Sequence, residues 1–377
     1  MTGIFPRAAR RATGVALVAG SLGCAGGKGP IALGLVGPFS EQRGVSMRLG
    51  AELAVRQINR AGGIHGRPLS LVIEDDSGVP EVAVAGARRL YANRGVVAVI
   101  GHLTSAATLA AAPIYNGGTR PVVAISPSAS APSVSAAGPY IFRVCPTDVV
   151  HGTRLATFAR QRLGAQTAAI LYHTDEYGRG IRATFAAEFR RLGGRIVAED
   201  PYVPDLPSFE PYLRRLQQRG GADVLLIAGT AASAERILPT LDTVGMHPRV
   251  MGGDALSGLE TTPEGQGVYM SAAYLADRPG KRNTAFVAAY HATYPGQPLD
   301  HRGAAAYDIV YLLARALGAA GPHRAAIRQY LAGVGTESPT FDGVTGRIAF
   351  DGHGDVPNKA VVIGVARDGR LVSAQSP

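Results

Sequence analysis

Residues 96–107 read VVAVIGHLTSAA, which is an apolar run, then a glycine, then Thr104 and Ser105 ahead of an alanine-rich segment. The apolar run predicts a buried strand, because β-branched residues suit pleated structure. Thr104 and Ser105 predict a helix start, where a hydroxyl accepts hydrogen bonds from unpaired backbone N–H groups. A strand that turns at a glycine into a helix is the repeating unit of an α/β fold.

Segments with strand and helix character alternate on both sides of this stretch. The expected strands are 31–36, 69–73, 96–100, 121–125, 167–172, 195–202, 224–228 and 249–251. The expected helices are 44–61, 80–93, 104–115, 151–163, 177–192, 209–219, 232–244, 283–294, 302–318 and 323–334. A β hairpin is expected around 350–363. This order predicts an α/β fold with parallel sheets covered by helices.

The length of 377 residues exceeds what one hydrophobic core usually supports, and the alternation starts again after Pro146. We therefore expect two Rossmann-like lobes joined by a hinge of multiple crossovers. The first lobe is expected to comprise residues 25–147 and 277–347, and the second 148–276 and 348–377. Open α/β sheets bind ligands at the carboxyl ends of their strands, so a cleft between the lobes is the expected site.

Residues 1–24 have the pattern of an export signal: basic residues, an apolar stretch at 12–22, and Ser21-Leu22-Gly23 before Cys24. The pattern resembles a lipoprotein signal peptide, in which Cys24 would carry the lipid. A plain secretory signal with Cys24 incidental is the alternative, and Arg10-Arg11 gives weak support for twin-arginine export. Each reading predicts an extracytoplasmic protein.

The composition and motifs disfavour several other classes of protein. The net charge is +10, but the arginines are scattered rather than clustered, so nucleic-acid binding is not expected. Phosphate-binding loops, a nucleophile elbow and zinc-ligand spacings were not found, which predicts a protein that is neither an enzyme nor a holder of a cofactor or metal. Residues 351–355, DGHGD, resemble a calcium loop but lack the downstream glutamate.

Hydroxyl groups follow two neighbouring strands. Ser105 stands at a helix start, where backbone N–H groups and the helix dipole favour a carboxylate. Ser126, Ser128 and Ser130 follow the next strand, and alternation in an extended loop would point all three toward the cleft. The simpler alternatives are that Ser105 only caps its helix and that the serines form a Ser/Pro turn.

Six stretches together resemble the leucine/isoleucine/valine-binding protein family, the type I periplasmic solute-binding proteins of branched-chain amino-acid ABC transporters. The stretches are 50–55 (GAELAV), 58–64 (INRAGGI), 75–76 (DD), 100–103 (IGHL), 125–132 (ISPSASAP) and 177–180 (YGRG). The similarity extends from about residue 31 to about residue 370. The resemblance implies the type I periplasmic binding protein fold.

The resemblance also implies roles for the hydroxyl groups of the first lobe. The helix start at Thr104 and Ser105, together with Ser130, would hold the α-carboxylate of an amino acid. The backbone carbonyl of Ser128 would accept a hydrogen bond from the α-ammonium.

In the second lobe, the family pattern places an acidic residue after Met251-Gly252, here Asp254, and a tyrosine that matches Tyr177. Both would close over the ammonium group. The charges explain the arrangement, because a buried zwitterion needs donors at one end and an acceptor carboxylate at the other. Asp254 is shorter than the expected glutamate, and Thr230 stands at a cleft position that is often aromatic.

Two arginines depart from the family pattern. Arg43 stands where an aromatic wall is frequent, and Arg302 lies near an apolar side-chain pocket. They suggest a solute with a second anionic or polar group, although each arginine is equally compatible with a solvated rim.

The implied function is that of a solute-binding protein of an ABC importer, which captures an amino acid or analogue by hinge closure and delivers it to a membrane permease. The alternative is a ligand-sensing protein of the same fold that acts in signalling.

Overall fold

The computed structural model of the protein describes residues 29–374. The predicted signal peptide at 1–24 and its Cys24 lie outside the described residues. None of the described helices is both long and apolar enough to cross a membrane.

The described chain alternates strands with helices. The strands are β1 (Ile31–Gly37), β2 (Leu69–Asp75), β3 (Val96–Ile100), β4 (Ala124–Ser126), β5 (Ile141–Arg143), β6 (Thr167–His173), β7 (Arg195–Tyr202), β8 (Val224–Ala228), β9 (Arg249–Gly252), β10 (Tyr269–Ala272), β11 (Phe341–Gly343), β12 (Gly346–Ile348), β13 (Val362–Arg367) and β14 (Arg370–Ser373). The α-helices are α1 (Gln42–Arg60), α2 (Pro80–Ala92), α3 (Ser105–Asn116), α4 (Asp148–Gln161), α5 (Glu176–Arg191), α6 (Glu210–Gln218), α7 (Ala231–Thr243), α8 (Lys281–Thr293), α9 (His301–Ala320) and α10 (Arg324–Ala332).

The strands form two main sheets, one in each lobe. The first has the order β2-β1-β3-β4-β5 and is parallel throughout. The second has the order β14-β13-β10-β9-β8-β6-β7, with β13 and β14 antiparallel at one edge. The mainly parallel sheets confirm the predicted α/β, two-lobed type I periplasmic binding protein fold.

Helix α9 belongs to the first lobe, where it packs against α1 beside β3. The two helices approach closely because both carry glycine at the contact. A Cβ atom added at Gly50 would lie 2.0 Å from the carbonyl oxygen of Gly303. This packing fixes the start of α9, with the buried His301 and Arg302, at the boundary with the second lobe.

The terminal hairpin was predicted in the wrong place. The structure has hairpins at 341–348 and 362–373. The segment between them turns at Asp351–Asp355, and its Phe350 and Val356 are buried in the core of the first lobe. We therefore propose that the last crossing between lobes lies between Val356 and Val362, later than the expected boundary at 347–348.

The carboxyl ends of both sheets meet at the interlobe boundary. Helix α3 contacts α5 across it, and the Ser133 hydroxyl donates a hydrogen bond of 3.2 Å to the carboxylate of Glu176. The two lobes are therefore in contact over the expected site, as in a closed clamp.

Candidate functional site

The first lobe supplies the hydroxyl edge, which we define as Thr104, Ser105, Ser128 and Ser130. Thr104 caps α3, since its side chain accepts the N–H of Ala107 at 3.2 Å. The Ser105 hydroxyl is buried and accepts the N–H of Ala131 at 3.1 Å. The helix start is thereby joined to the serine loop that follows β4.

The serine loop does not alternate as expected. The Ser126 hydroxyl donates to the carbonyl of His102 at 2.6 Å and accepts the N–H groups of Ser128 and Ala129. Ser126 therefore braces the loop and does not face the cleft. Ser128 Oγ lies 3.4 Å from His301 Nε2, and the buried Ser130 hydroxyl has no partner of good hydrogen-bond geometry.

Arg143 holds the serine loop in place through hydrogen bonds to its backbone. Its fully buried guanidinium donates hydrogen bonds to the carbonyls of Ala129 and Ala131, on either side of Ser130, and forms an ion pair of 2.6 Å with Asp355. The carbonyl of Ser130 accepts the N–H of Asp148 at 2.8 Å. The position of Ser130 is thus set by three consecutive carbonyls.

The second lobe supplies the acidic edge, which we define as Asp148, Tyr177 and Asp254. Asp254 follows β9 and is only 3% exposed. Its Oδ2 lies 3.3 Å from His301 Nε2, while Oδ1 has no partner. Burial would raise the pKa of this carboxyl, but His151, His301 and Arg302 hold the pKa below its usual range. Asp254 therefore remains ionised and offers one free oxygen.

Tyr177 lies beside Asp254. Its hydroxyl accepts the N–H of Ala255 at 3.2 Å. Burial, with the nearby charges of Asp254 and Asp148, raises the pKa of Tyr177 well above its usual value. The phenol is therefore neutral and keeps a proton to donate.

The imidazole of His301 bridges the two edges. The same nitrogen, Nε2, approaches both Ser128 Oγ and Asp254 Oδ2. His301 opens helix α9 directly after Asp300, whose carboxylate caps that helix by accepting the N–H groups of Arg302 and Gly303. The hydroxyl and acidic edges are therefore only one side chain apart.

Three functional candidates were not predicted from the sequence: Asp148, His151 and His301. All three are buried, and both oxygens of Asp148 and Nε2 of His151 lack hydrogen-bond partners. Helix α4 was expected to begin at His151 but begins at Asp148. The available signal was Pro146-Thr147, which precedes an acidic residue as at many helix starts.

Thr230 and Arg43 are not brought into contact with these edges. The Thr230 hydroxyl caps α7 by accepting the N–H of Ser233 at 3.4 Å. Arg43 forms an ion pair of 2.6 Å with Glu41 and is partly exposed.

Arg302 is deeply buried at the site. It donates to the Asp254 carbonyl at 3.0 Å and to Asp300 Oδ2 at 2.6 Å, and its Nε has no partner. The structure thus places Arg302 as a brace of the acidic residue, with its charge already paired.

A cavity of about 600 Å³ adjoins the acidic edge at Asp254. It is lined by polar side chains, namely Arg43, Ser46, Asp254, Asp300 and His301, and also by apolar ones such as Leu275, Val287 and Leu299. Within residues 29–374, no group of three or more His, Cys, Asp or Glu side chains is arranged to hold a metal ion.

The chain is similar in sequence to known proteins. Residues 30–370 match the sequence model of a family described as periplasmic binding protein. A leucine-, isoleucine-, valine-, threonine- and alanine-binding protein of Pseudomonas aeruginosa is 29% identical, over 87% of each chain.

Two solved structures are also similar. An ABC transporter substrate-binding protein from Desulfitobacterium hafniense, in complex with leucine, has a TM-score of 0.78 and 32% identity over 91% of this chain and 99% of its own. A branched-chain amino-acid transporter substrate-binding protein from Streptococcus pneumoniae, in complex with isoleucine, has a TM-score of 0.81 and 26% identity over 91% of this chain and 97% of its own.

Proposed function

The chain belongs to the periplasmic binding protein family, whose members are extracytoplasmic solute-binding proteins, and we propose that it captures an amino acid or a close analogue for an ABC importer. The observation that carries the proposal is the buried, ionised Asp254, which has a free oxygen and is separated from the hydroxyl edge by His301 alone. Similar proteins with amino-acid ligands support the solute class.

The two edges suit the two ends of a zwitterion. Asp254 Oδ1 and the Ser128 carbonyl are acceptors for the α-ammonium, and Tyr177 lies beside Asp254 to close over the same group. Ser105, at the start of α3 beside Thr104, and Ser130, in the serine loop, are donors for the α-carboxylate. Burial of both charges is favourable only because each meets opposite charge or a hydrogen-bond partner.

Hinge closure completes the site, because the two edges belong to different lobes. The solute enters an open clamp, the lobes shut, and the closed form docks on a membrane permease. This cycle makes and breaks no covalent bond. Lipid attachment at Cys24 belongs to the same proposal and rests on the sequence pattern alone.

In this arrangement the side-chain end of the solute would face the cavity beside Asp300 and His301, whose lining is partly polar and partly apolar. A purely aliphatic side chain would match only the apolar part of this lining, and polar groups that lose water without gaining a partner cost free energy. We therefore propose a solute with a second polar group. Arg43 contributes to this selectivity at the cavity rim, Arg302 acts through Asp254, and Thr230 borders the cleft from the second lobe.

Calorimetric titration of the purified protein with leucine, threonine, glutamate and phenylalanine tests the proposal. At least one solute should bind and raise the melting temperature, because ligands that bind only the folded state stabilise it. Threonine or glutamate should bind more tightly than leucine. Tight leucine binding that Arg43→Ala leaves unchanged would contradict the selectivity, and no binding by any amino acid would contradict the function.

A further inference from the structure

Asp148 is a buried acid at the meeting point of both lobes. It begins α4 directly after the first crossing and is fully buried. Neither oxygen of its carboxyl has a hydrogen-bond partner of good geometry. A Cβ atom added at Gly180 would lie 2.4 Å from Asp148 Oδ2 and 3.2 Å from Pro132 Cδ. The carboxyl is therefore held between α5 and the end of the serine loop.

Ser130 lies beside this carboxyl and is equally buried. Its hydroxyl also lacks a partner of good geometry, and its backbone carbonyl accepts the N–H of Asp148. An acid of the second lobe and a hydroxyl of the first lobe thus stand side by side at the end of the site assigned to the solute carboxylate. Buried polar groups are rarely left without partners, so both are candidates for contact with a ligand.

The charges around Asp148 disfavour its ionised form. Asp175, the N-cap residue of α5, Tyr177 within α5 and Asp254 after β9 face it from the second lobe. His151 lies one turn along its own helix, and the buried thiol of Cys145 lies just ahead of that helix. Arg143 faces it from the first lobe, but its guanidinium is already paired with Asp355.

Burial raises the pKa of Asp148 well above its usual value. The charges of Asp254 and Asp175 act in the same direction, while Ser130 and Arg143 oppose them. A carboxyl that stays protonated near neutral pH can donate a hydrogen bond, which an ionised carboxylate cannot.

We propose that Asp148 belongs to the solute site: as the neutral acid it donates a hydrogen bond to the solute carboxylate beside Ser130, so that each closure over a carboxylate takes up a proton. This inference rests on the proposed function and identifies the anionic group of the solute as the group that Asp148 recognises. Two carboxyl groups at one site share a proton more readily than they hold two negative charges.

The sign of the pH dependence follows from linkage. We propose that opening of the lobes exposes Asp148 to water, where a carboxyl has an ordinary pKa of about 4. In the closed clamp its pKa is raised, so the closed form binds more protons. Affinity should therefore be greatest at low pH and should fall, by up to about tenfold per pH unit, as pH rises from the open-state pKa toward the closed-state pKa.

Calorimetry from pH 5 to pH 7.5, in buffers of different ionisation enthalpy, tests the inference with the tightest-binding of the four amino acids. Wild type should take up close to one proton per solute and lose affinity as pH rises. Asp148→Asn should bind up to about tenfold more weakly at pH 5, because an amide donates a weaker hydrogen bond, and should lose most of the pH slope. The difference between the two slopes is the readout, because it removes the contribution of every other titratable group.

Two controls separate this inference from the proposed function. Asp242→Asn, at an exposed position, should leave affinity and slope unchanged. The amide of the same amino acid, which lacks the carboxylate, should bind without the Asp148-dependent proton. Solute binding with equal slopes in wild type and Asp148→Asn would overturn the inference and leave the proposed function standing, whereas no binding in wild type would overturn both.

Discussion

The two edges of the site differ in how completely they are braced. In the first lobe, Ser105 holds the serine loop through Ala131, Ser126 holds it through three contacts, and Arg143 holds two of its carbonyls. In the second lobe, Asp148, His151 and Asp254 are buried with at least one polar atom unpartnered. The backbone of the first edge is therefore preformed, although its Ser130 hydroxyl is unpartnered, whereas we expect the second edge to reach its full set of partners only when a solute is enclosed.

This difference assigns separate tasks to the lobes. A braced edge can orient a solute in the open clamp at little cost in conformational entropy. An edge whose polar and charged groups lack partners can bind the solute only after the lobes close, so it adds binding energy to the closed state alone. A solute that binds the closed state more tightly than the open state shifts the equilibrium toward closure. Substitutions in the first lobe should thus affect folding and binding together, and those in the second lobe should mainly affect closure.

The largest effect is expected for Arg143→Met. The substitution leaves Asp355 buried without its cation, and breaking a buried ion pair costs about 3–5 kcal/mol. The free energy of unfolding, measured by urea titration, should fall by this amount, and solute binding should weaken with it. Arg191→Met removes an exposed ion pair with Glu188 and should cost less than about 1 kcal/mol. Equal losses in both variants would show that the serine loop is not braced as described.

Asp254→Asn should have the next largest effect, and on binding rather than folding. The amide keeps the shape but loses the charge that we propose meets the ammonium, and loss of a buried charged partner costs about 2–5 kcal/mol. The dissociation constant should rise at least about thirtyfold by calorimetry, while the melting temperature of the free protein changes little. Asp242→Asn is the matched control. Unchanged affinity in Asp254→Asn would remove the acidic edge from the site.

The sequence predicted the fold better than it predicted the contacts of the site. Patterns within a few residues are enough to predict elements such as β3 and α3, because an apolar run indicates the strand and a capping hydroxyl indicates the start of the helix. The bridge made by His301 could not be predicted, since it depends on how α9 packs against α1 far away in the sequence. Ser126 was misjudged because the loop bends around its hydroxyl instead of remaining extended.

A smaller effect is expected for Ser105→Ala. The variant loses one donor to the solute carboxylate and leaves the N–H of Ala131 without its acceptor. A hydrogen bond of this kind contributes about 0.5–1.5 kcal/mol, so affinity should fall about three- to tenfold. Ser208→Ala removes a comparable hydroxyl, which accepts the N–H of Glu210 at an exposed site away from the cleft. Equal affinity of the Ser105→Ala variant and wild type would mean that Ser105 only braces the loop.

The smallest effect is expected at the rim, where Ser133 of the first lobe meets Glu176 of the second. This hydrogen bond is exposed and Glu176 also pairs with Arg179 at 2.6 Å, so its loss in Ser133→Ala should cost less than about 1 kcal/mol. Because the contact forms only when the lobes meet, stopped-flow measurements should show up to about threefold faster solute release with an unchanged association rate.

Arg179→Gln removes a contact within the second lobe and should leave release unchanged. If Ser133→Ala instead lowers the melting temperature of the unliganded protein, the rim contact already exists without solute, and the second edge is as preformed as the first.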